Sequence, residues 1–516
     1  MKKLMLGNEA IARGAYEAGV RVVSAYPGTP STEITEAVVK YDGVYAEWAP
    51  NEKVAYEVAV GASIAGARAM VCMKHVGVNV AADPMFTSSY TGVNGGLVMV
   101  VADDPGMHSS QNEQDSRFYA RSAHLPMIEP SNSQEAKDFI KKAYELSEAY
   151  DTPIMVRTTT RMAHSQSFVT EEDRTDVPLK PYQKDIKKYT MMPASAIGRH
   201  LAVEARENKL ALDVENFDIN TVEYADKKLG IVCSGIVYQY VKEALPNASV
   251  FKLGMVYPLP FEKLKKFASE VEELIVIEEL EPFFENQLKA HGIKCRGKEL
   301  FSKQGEILVA TIKEKILGIA QNIEKNDLPI RPPVMCAGCP HRGVFYVLSK
   351  LKLTVTGDIG CYTLGAQAPL SSVDTVLCMG ASIGMAHGFE KAKGKEGARN
   401  VVAVIGDSTF VHSGITGLIN AVYNNSNLKL LILDNSTTGM TGHQDHPATG
   451  KTLAGETTKK LDLIELVKSI GVDSVNLIDA YDIVGLETLL KSELQKDGVS
   501  VIVARRACAL LDRNYP

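Results

Sequence analysis

The sequence has little cysteine, no long hydrophobic run and almost no excess of charge of either sign. Its eight cysteines among 516 residues stand singly except for Cys336 and Cys339, far below the density of a disulfide framework. Stretch 95–102 is among the longest apolar runs and has the length of a strand, whereas a membrane-spanning helix needs roughly 20 residues. The apolar part of the N-terminal segment is too short for a signal peptide. We therefore expect a reduced, cytoplasmic protein with no membrane partner.

Composition and charge narrow the function classes further. The net charge of −6 gives no electrostatic reason to expect a nucleic-acid partner. An apolar share of 45% and a charged share of 23% are typical of ordinary globular proteins and exclude a disordered or fibrous chain. At roughly 150 residues per domain, the length predicts about three domains.

Short β-rich runs alternate with helical stretches in three blocks of the sequence. Such alternation is typical of parallel sheets covered by helices on both faces, so we predict an α/β fold of three doubly wound, mainly parallel-sheet domains. The predicted strands are 20–25, 69–73, 97–102, 153–158, 229–233, 250–253, 274–277, 353–356, 375–379, 401–405, 428–433 and 499–503. The predicted helices are 7–18, 51–67, 133–149, 193–208, 343–350 and 415–423.

These blocks predict domains at 1–165, 229–326 and 327–516, separated by a hydrophilic linker or surface excursion at 166–228. The last boundary coincides with tract 327–335, which holds three prolines. Proline neither continues a helix nor donates to a sheet, so the tract favours a boundary.

Polar side chains follow two consecutive strands of the third block. One strand runs into Gly406-Asp407-Ser408, and the next runs into Asp434-Asn435. Right-handed connections place both ends at the ligand-binding edge of a parallel sheet, where carboxylate and amide oxygens suit Mg²⁺. Gly406 allows close approach, and the amides of Asp407 and Ser408 suit a phosphate. Each residue alone fits a helix cap or a turn equally well. The complete spacing favours a metal-diphosphate site.

Two further segments of the third block pair a strand with a glycine-rich helix start. They are 379–384, which contains Gly380 and Ser382, and 357–361, which contains Gly360 and Cys361. Free amides and the positive end of a helix attract anions, although single glycines of this kind more often serve close packing. Their occurrence together with the Asp407 segment favours a bound cofactor.

Two other patterns suggest a metal but are incomplete. The pair Cys336 and Cys339 fits zinc or an iron–sulfur cluster, yet both need four ligands, and no second pair of this spacing exists. A turn before helix 343–350 is therefore the preferred interpretation. His443 and His446 lack an obvious third ligand, so we do not expect a zinc site there.

The motifs together resemble the α subunits of indolepyruvate:ferredoxin oxidoreductases, within the thiamine diphosphate-dependent 2-oxoacid:ferredoxin oxidoreductases. The resemblance covers essentially the whole chain. The segments that carry it are SAYPGTPSTEI (24–34), NEKVAYEVAVGASIAGARA (51–69), MKHVGVNVAADP (73–84), SSQNEQDSR (109–117), CAGCPHR (336–342), GDIGCYTLG (357–365), MGASIGMAHG (379–388), GDSTFVHSG (406–414) and LDNSTTGMTGHQDHP (433–447). It implies a pyrimidine-binding domain at 1–165, a transketolase C-terminal-like domain at 229–326 and a diphosphate-binding domain at 327–516.

The resemblance also implies roles for individual residues. Asp407 and Asn435 by their side chains, and Thr437 by its carbonyl, would hold Mg²⁺. Glu52 would be the acid at the pyrimidine ring, although the pattern alone leaves Glu47 and Glu57 open. Thr29 would contact the substrate. Cofactor contacts would come from Cys339, Gly360, Cys361, Gly380, Ser382, Gly406, Ser408, Gly442 and Gln444.

The implied reaction is oxidative decarboxylation of an aryl 2-oxo acid to acyl-CoA, with ferredoxin as electron acceptor. A non-oxidative thiamine-dependent decarboxylase is the alternative, and a silent scaffolding subunit is a second one. The implied partners are a β subunit, ferredoxin, CoA and a second copy of this chain. No cluster-binding CxxCxxCxxxCP run is present, so the expected [4Fe–4S] clusters would have no ligands here. Relatives acting on pyruvate have an arginine where this chain has Asp103-Asp104, which leaves Arg117 and His75 as candidates for the substrate carboxylate.

Overall fold

The computed structural model describes residues 2–320, 329 and 331–511. The chain forms two compact units, Met1–Lys325 and Asn326–Pro516, which are described separately below. The proline tract predicted as a domain boundary begins outside the described residues. Within the described ranges, no helix is both long enough and apolar enough to cross a bilayer.

A seven-stranded sheet forms the centre of the first unit. In order across the sheet its strands are Met255–Tyr257, Met127–Ile128, Ile154–Thr159, Leu97–Asp103, Ala69–Lys74, Val22–Ala25 and Tyr45–Trp48. Neighbouring strands are parallel except at Met255–Tyr257, which runs antiparallel to its neighbour. Every residue of the two central strands is buried, because helices cover both faces of a parallel sheet.

A smaller sheet completes the first unit. Strands Glu273–Ile277, Asp226–Ser234 and Ala248–Leu253 are parallel, and Thr221–Glu223 adds an antiparallel edge. Separately, Lys2–Leu6 pairs antiparallel with Gln166–Thr170. The two larger sheets share one hydrophobic core, since Val101 and Met127 belong to the same buried cluster as Val232, Phe251 and Phe283. Segment 166–228 was predicted as a linker or surface excursion with one helix at 193–208. It contains that helix, as Pro193–Asp213, and also a short helix and two strands: Ile186–Tyr189, Gln166–Thr170 and Thr221–Glu223.

Side-chain caps fix where several helices of the first unit begin. Asn51 accepts a hydrogen bond from the Val54 amide at 3.0 Å, and Asn132 accepts one from the Glu135 amide at 2.9 Å. The helices are Gly7–Glu17, Thr32–Val38, Glu52–Ile64, His75–Thr91, Ser116–Ser122, Ser133–Tyr150, Thr160–His164, Ile186–Tyr189, Pro193–Asp213, Val237–Ala244, Phe261–Ser269, Phe283–Ala290 and Val309–Leu317.

The second unit contains one five-stranded parallel sheet. Its strands, in order, are Thr354–Thr356, Val401–Gly406, Lys429–Asp434, Ser500–Arg505 and Ser474–Asp479. Its α-helices are His341–Lys350, Ala381–Gly397, Asp407–Thr409, Ile415–Tyr423, Leu463–Ile470 and Ile483–Gln495; a 3₁₀ helix spans Cys361–Ala366 and a π-helical turn spans Phe410–Gly414. The predicted α/β fold with mainly parallel sheets is confirmed.

One predicted strand of this unit, 375–379, is wrong. Only Thr375 forms a bridge, with Thr356, and its carbonyl accepts a hydrogen bond from the Gly357 amide at 2.7 Å. The rest of the apolar run lies beyond the sheet edge, where Leu377 is exposed. The apolar composition therefore predicted a strand, but within the described ranges no strand pairs with this run beyond Thr375.

Candidate active site

Asp407 and Asn435 lie at the ends of neighbouring strands in the second unit. Strands Val401–Gly406 and Lys429–Asp434 pair in register, with Gly406 opposite Leu433. One carboxylate oxygen of Asp407 accepts a hydrogen bond from the Ser408 amide at 2.9 Å, and the other accepts one from the Ser436 amide at 2.8 Å. The sheet thus brings together the two segments that the sequence suggested would share an ion.

The Asp407 carboxylate is almost completely buried, at 2% exposure. Burial raises the pKa of Asp407 above its usual value, and the ring of His446, with Nε2 3.3 Å from Oδ2, and the Ser408 amide only partly offset this effect. A carboxylate that is buried without a strong counter-charge attracts a cation. His446 therefore neighbours Asp407.

The loop after Asn435 folds back on the same strand ends. The Thr438 amide donates to the Gln444 carbonyl, and the His443 amide donates to the Thr438 carbonyl, each at 3.0 Å. The Thr438 hydroxyl donates to Ser408 Oγ at 2.9 Å. These bonds hold buried Thr437 next to the Asp407 segment. Gly442 lies at the tip of the loop. Carbonyl, amide and carboxylate oxygens suited to Mg²⁺ are therefore concentrated here.

The helix Ala381–Gly397 begins at Gly380 with its amides already occupied. The Gly380 and Ser382 amides donate to the Asp358 carboxylate at 2.8 and 3.0 Å. Burial raises the pKa of Asp358 despite these bonds. We expected this helix start to bind an anion of a ligand. Its amides instead bind the carboxylate of Asp358, which orients the Gly380 turn. Gly360 donates instead to Thr363 Oγ1, at 3.1 Å.

Four cysteines of the second unit lie near one another. Burial raises the pKa of Cys361 to about 11, and the neighbouring thiols of Cys339, Cys508 and Cys336 act in the same direction. The Cys361 sulfur also lies 3.4 Å from the position that a Cβ on Gly439 would take, in the loop after Asn435. Cys361 and Cys508 are isolated in the sequence, so pattern alone gave no signal that they join the Cys336–Cys339 pair.

These thiols do not form a site for a single metal ion. Among the described residues, no group of three or more His, Cys, Asp or Glu side chains could hold one. This finding also applies to His443 and His446. Because this search covers only His, Cys, Asp and Glu side chains, it says nothing about the amide and carbonyl oxygens around Asp407.

Glu52 is the most buried of the three glutamates that are candidates for the acid at the pyrimidine ring. It is 5% exposed and begins the helix Glu52–Ile64. Glu57 is about half exposed and pairs with Lys53, whereas Glu47 accepts hydrogen bonds from Ser24 and Tyr45. A Cβ on Gly77 would lie only 2.7 Å from Glu52 Oε1, so glycine at that position is what allows the carboxylate to lie there.

Thr29 lies in a turn that contacts the end of a neighbouring strand. A Cβ on Gly28 would lie 3.1 Å from Lys74 Cβ, which shows that the turn packs directly on Lys74. Lys74 Nζ donates to the Ser109 carbonyl at 2.7 Å and to Ser109 Oγ at 3.2 Å. Ser109 Oγ in turn donates to the Thr29 carbonyl at 3.4 Å. Lys74 is a member of this group that the sequence gave no reason to single out.

Arg117, one of two candidates for the substrate carboxylate, is fully engaged within the protein. It is 1% exposed and pairs with Asp115 at 2.6 Å and with Glu278 at 2.7 Å. Its guanidinium also donates to the carbonyls of Glu279 and Glu281. These contacts commit the buried Arg117 guanidinium to joining the two blocks of the first unit, so it is poorly placed to bind a substrate.

Family models match both ends of the chain. Residues 13–218 match a family described as pyruvate flavodoxin/ferredoxin oxidoreductase, thiamine diP-bdg. Residues 358–504 match thiamine pyrophosphate enzyme, C-terminal TPP binding domain. The candidate residues Glu52, Asp407 and Asn435 all lie within these ranges. Thiamine diphosphate binding is thereby supported from two separate parts of the sequence.

A solved structure shares the fold. It is described as 2-oxoglutarate:ferredoxin oxidoreductase from Magnetococcus marinus with 2-oxoglutarate, coenzyme A and succinyl-CoA bound. The TM-score is 0.53 at 18% identity, and the match covers 61% of this chain and 65% of that chain. At this identity the similarity supports the fold alone.

Curated proteins named indolepyruvate oxidoreductase subunit IorA match nearly the whole chain. The protein from Archaeoglobus fulgidus is 41% identical over 99% of this chain and 87% of its own length. The protein from Pyrococcus abyssi is 43% identical over 98% and 86%, and that from Methanothermobacter thermautotrophicus is 39% identical over 99% and 87%. The chain therefore belongs to the family of indolepyruvate oxidoreductase IorA subunits, within the thiamine diphosphate-dependent 2-oxoacid:ferredoxin oxidoreductases.

Proposed function

We propose that the protein catalyses oxidative decarboxylation of aryl 2-oxo acids of the indolepyruvate type, giving acyl-CoA and transferring electrons to ferredoxin. The arrangement of Asp407 and Asn435 at two neighbouring strand ends is the observation that carries this proposal. It supplies oxygen ligands for Mg²⁺ inside a match to a thiamine diphosphate domain. The names of the similar proteins support the substrate class.

We propose that Asp407, Asn435 and the Thr437 carbonyl hold Mg²⁺ on the diphosphate. The fit rests on the buried Asp407 carboxylate, whose pKa is raised by burial, and on the oxygen-rich loop beside it. A hard divalent ion prefers such oxygen donors and retains positions for phosphate oxygens. Gly406, Ser408, Gly442 and Gln444 lie in the two loops that would surround the diphosphate.

We propose that Glu52 is the acid at the pyrimidine ring and that Thr29 contacts the substrate. Bound thiamine diphosphate supplies a thiazolium that accepts the electron pair released when a 2-oxo acid loses CO₂. Glu52 is suited to hold a proton at the pyrimidine nitrogen because its carboxylate is buried against Gly77. The nearby turn holds Thr29 through Ser109 and Lys74.

We propose that Cys336, Cys339, Cys361 and Cys508, which lie near one another, ligate a [4Fe–4S] cluster, whereas the sequence motifs alone led us to expect no cluster ligands in this chain. Four thiolates are the ordinary ligand set of such a cluster. The four cysteine sulfurs around a cluster lie further apart than the ligands of a single metal ion. The absence of a single-ion site among the described residues therefore does not exclude a cluster. Burial raises the pKa of the Cys339 thiol, and the backbone amides of His341 and Arg342 act in the opposite direction, which suits a thiolate ligand. A bound cluster would supply one-electron transfer from the site towards ferredoxin.

The proposed partners follow from this chemistry. A β subunit, ferredoxin, CoA and a second copy of this chain are the expected components of the working complex, which we place in the cytoplasm. The eight cysteines are free thiols in the structure, in keeping with a reducing compartment.

A dye- or ferredoxin-reduction assay over a panel of 2-oxo acids tests this function, with the partner subunit and CoA present. We expect CoA-dependent reduction with indolepyruvate or phenylpyruvate as preferred substrate. Release of an aldehyde without CoA or an electron acceptor would instead identify a non-oxidative decarboxylase.

The variant Glu52→Gln tests the acid. We expect turnover to fall by at least about 100-fold, because general acid–base assistance contributes roughly 10²–10⁴ in rate. Thiamine diphosphate should still bind, and the hydrogen at its thiazolium C2 should exchange with deuterium more slowly than in the wild type. Glu57→Gln, at a half-exposed position on the same helix, is the control. Unchanged exchange in Glu52→Gln would remove Glu52 from the reaction.

A further inference from the structure

A 2-oxo acid brings a carboxylate that must be held near Thr29, yet neither expected cation is able to hold it. The buried Arg117 guanidinium is already bound to two carboxylates and two carbonyls of the protein. Burial lowers the pKa of His75 to about 4, so its ring is neutral at physiological pH. His75 Nε2 also lies 3.2 Å from the Asn112 carbonyl. The cation that meets the substrate carboxylate must therefore come from elsewhere.

Lys74 places a cation next to the turn that contains Thr29. It ends strand Ala69–Lys74, packs against Gly28 and bonds to Ser109, whose hydroxyl reaches the Thr29 carbonyl. The helix His75–Thr91 begins directly after it, so the positive end of that helix lies on the same side of the sheet. Glu52 lies against Gly77, three positions further along.

The Lys74 ammonium has no ionic partner among the described residues. No carboxylate of a described residue lies within 4 Å of Nζ, although Lys74 is only 7% exposed. Asp104 acts on it from a greater distance, because the Asp104 oxygens accept hydrogen bonds from the Ser109 amide and from the Ser110 and Thr160 hydroxyls. Burial accordingly lowers the pKa of Lys74 to about 8. A buried cation without a counter-ion is unfavourable unless a ligand supplies the charge.

The hydrogen-bonding capacity of Lys74 is also incomplete. An ammonium has three N–H donors, and the two acceptors seen here, the Ser109 carbonyl and hydroxyl, use two of them. One donor is left for a ligand at the Thr29 turn.

We propose that the Lys74 ammonium binds the carboxylate of the 2-oxo acid substrate. This inference rests on the proposed function, because it assigns a specificity-determining residue to that reaction. A carboxylate at Lys74 would satisfy both the remaining donor and the uncompensated charge. It would also hold the oxo acid beside Thr29 at the end of the central strand.

Steady-state kinetics of the complete complex with its cofactors test the proposal. Lys74→Met should raise the KM for the oxo acid by on the order of 10- to 100-fold, as expected for loss of a charge-assisted hydrogen bond. Lys74→Arg should recover part of that loss. Thr160→Ala, which removes one bond supporting Asp104 and leaves the ammonium in place, is the matched control and should change KM by less than about threefold.

A paired inhibitor measurement separates charge recognition from structural support. We expect Lys74→Met to weaken inhibition by indole-3-propionate by on the order of tenfold or more and to leave inhibition by its methyl ester nearly unchanged. Equal weakening of both inhibitors, or an unchanged KM, would overturn the proposal. If the wild type accepts no aryl 2-oxo acid, the proposed substrate class fails, and the same comparison is then made with whichever 2-oxo acid it accepts and with the matching saturated acid and ester.

Discussion

Buried charged side chains of this protein fall into two groups, paired and unpaired. Lys137 pairs with Glu17 at 3.1 Å, and Arg117 pairs with Asp115 and Glu278. Lys74 has no such partner in the part of the chain that the structure describes, and the Asp407 carboxylate has backbone amides and a histidine ring around it. Incompletely compensated charges are typical of functional sites, where a ligand completes them. The residues of the second group are therefore the ones to test for ligand contact.

The stability of Lys74→Met should reflect this missing partner. A pKa lowered from 10.5 to about 8 means that the fold disfavours the charged amine. The difference corresponds to an unfavourable contribution of up to about 3 kcal/mol, reduced on replacement by the lost bonds to Ser109. We therefore expect the free variant to be as stable as the wild type or more so at pH 7, as measured by urea unfolding.

The same measurement has a predicted pH dependence and a matched control. The unfavourable contribution is fully present below about pH 8 and disappears as the pH rises towards 10.5, so the stability difference between wild type and variant should narrow there. Lys137→Met removes a paired, fully buried amine and should destabilise the protein by about 3 kcal/mol or more. A similar loss in Lys74→Met would contradict our description of Lys74 as unpaired.

The positions of single residues were predicted well where they followed from short-range spacing, whereas their roles as ligands stay predictions. Asp407 and Asn435 each follow a recognisable strand, so the parallel sheet brings them together as expected. Cys361 and Cys508 are far apart in sequence, and only the folded unit shows that they are neighbours. Lys74 gave no signal, because a lysine at a strand end usually reaches solvent.

At the scale of elements, the start of helix Ala381–Gly397 depends on one glycine. Gly380 has φ = +87°, and a Cβ there would lie 2.5 Å from Ser413 Cβ. We expect Gly380→Ala to lower the free energy of unfolding by about 2 kcal/mol or more, because left-handed backbone alone costs an alanine roughly 1–2 kcal/mol. Thermal unfolding measures the effect.

Gly384→Ala provides the matched control within the same helix. A Cβ at Gly384 would have no neighbour within 4 Å, and its backbone is helical. Alanine should stabilise this position by about 0.5–1 kcal/mol, so the two substitutions should have opposite signs. Equal destabilisation by both would show that the Gly380 turn has no special conformational role.

Elements with strong internal patterns were predictable, and those defined by distant partners were not. The buried strand Leu97–Asp103 and the capped helix Ser133–Tyr150 match their predictions within two residues. Strand Met255–Tyr257 has only three residues, and its pairing with Met127–Ile128 depends on the tertiary fold. Segment 375–379 had the composition of a strand, but among the residues that the structure describes no strand pairs with it beyond Thr375.

At the scale of the whole molecule, the first unit is held together by a buried ion pair as well as by its shared core. Arg117 comes from the first block of the sequence and Glu278 from the second. Arg117→Met would leave Asp115 and Glu278 buried without their cation. We expect a loss of about 3–5 kcal/mol in the free energy of unfolding, measured by urea denaturation.

Arg121→Met is the control for that prediction, since Arg121 is exposed on the same short helix. It should change stability by less than about 0.5 kcal/mol. A comparable loss in both variants would mean that the Arg117 ion pair does not contribute specifically to joining the two blocks.

Magnesium-dependent binding of thiamine diphosphate tests the central claim most directly. Isothermal titration of the purified protein should show binding that requires Mg²⁺ and weakens by at least about 100-fold in Asp407→Asn, an expected effect of the size seen when a buried charged partner is lost. Asp462→Asn, at an exposed helix cap of the same unit, should bind like the wild type. Equally tight binding by Asp407→Asn, or binding that does not depend on Mg²⁺, would contradict the claim that these two strand ends hold the cofactor through a shared ion.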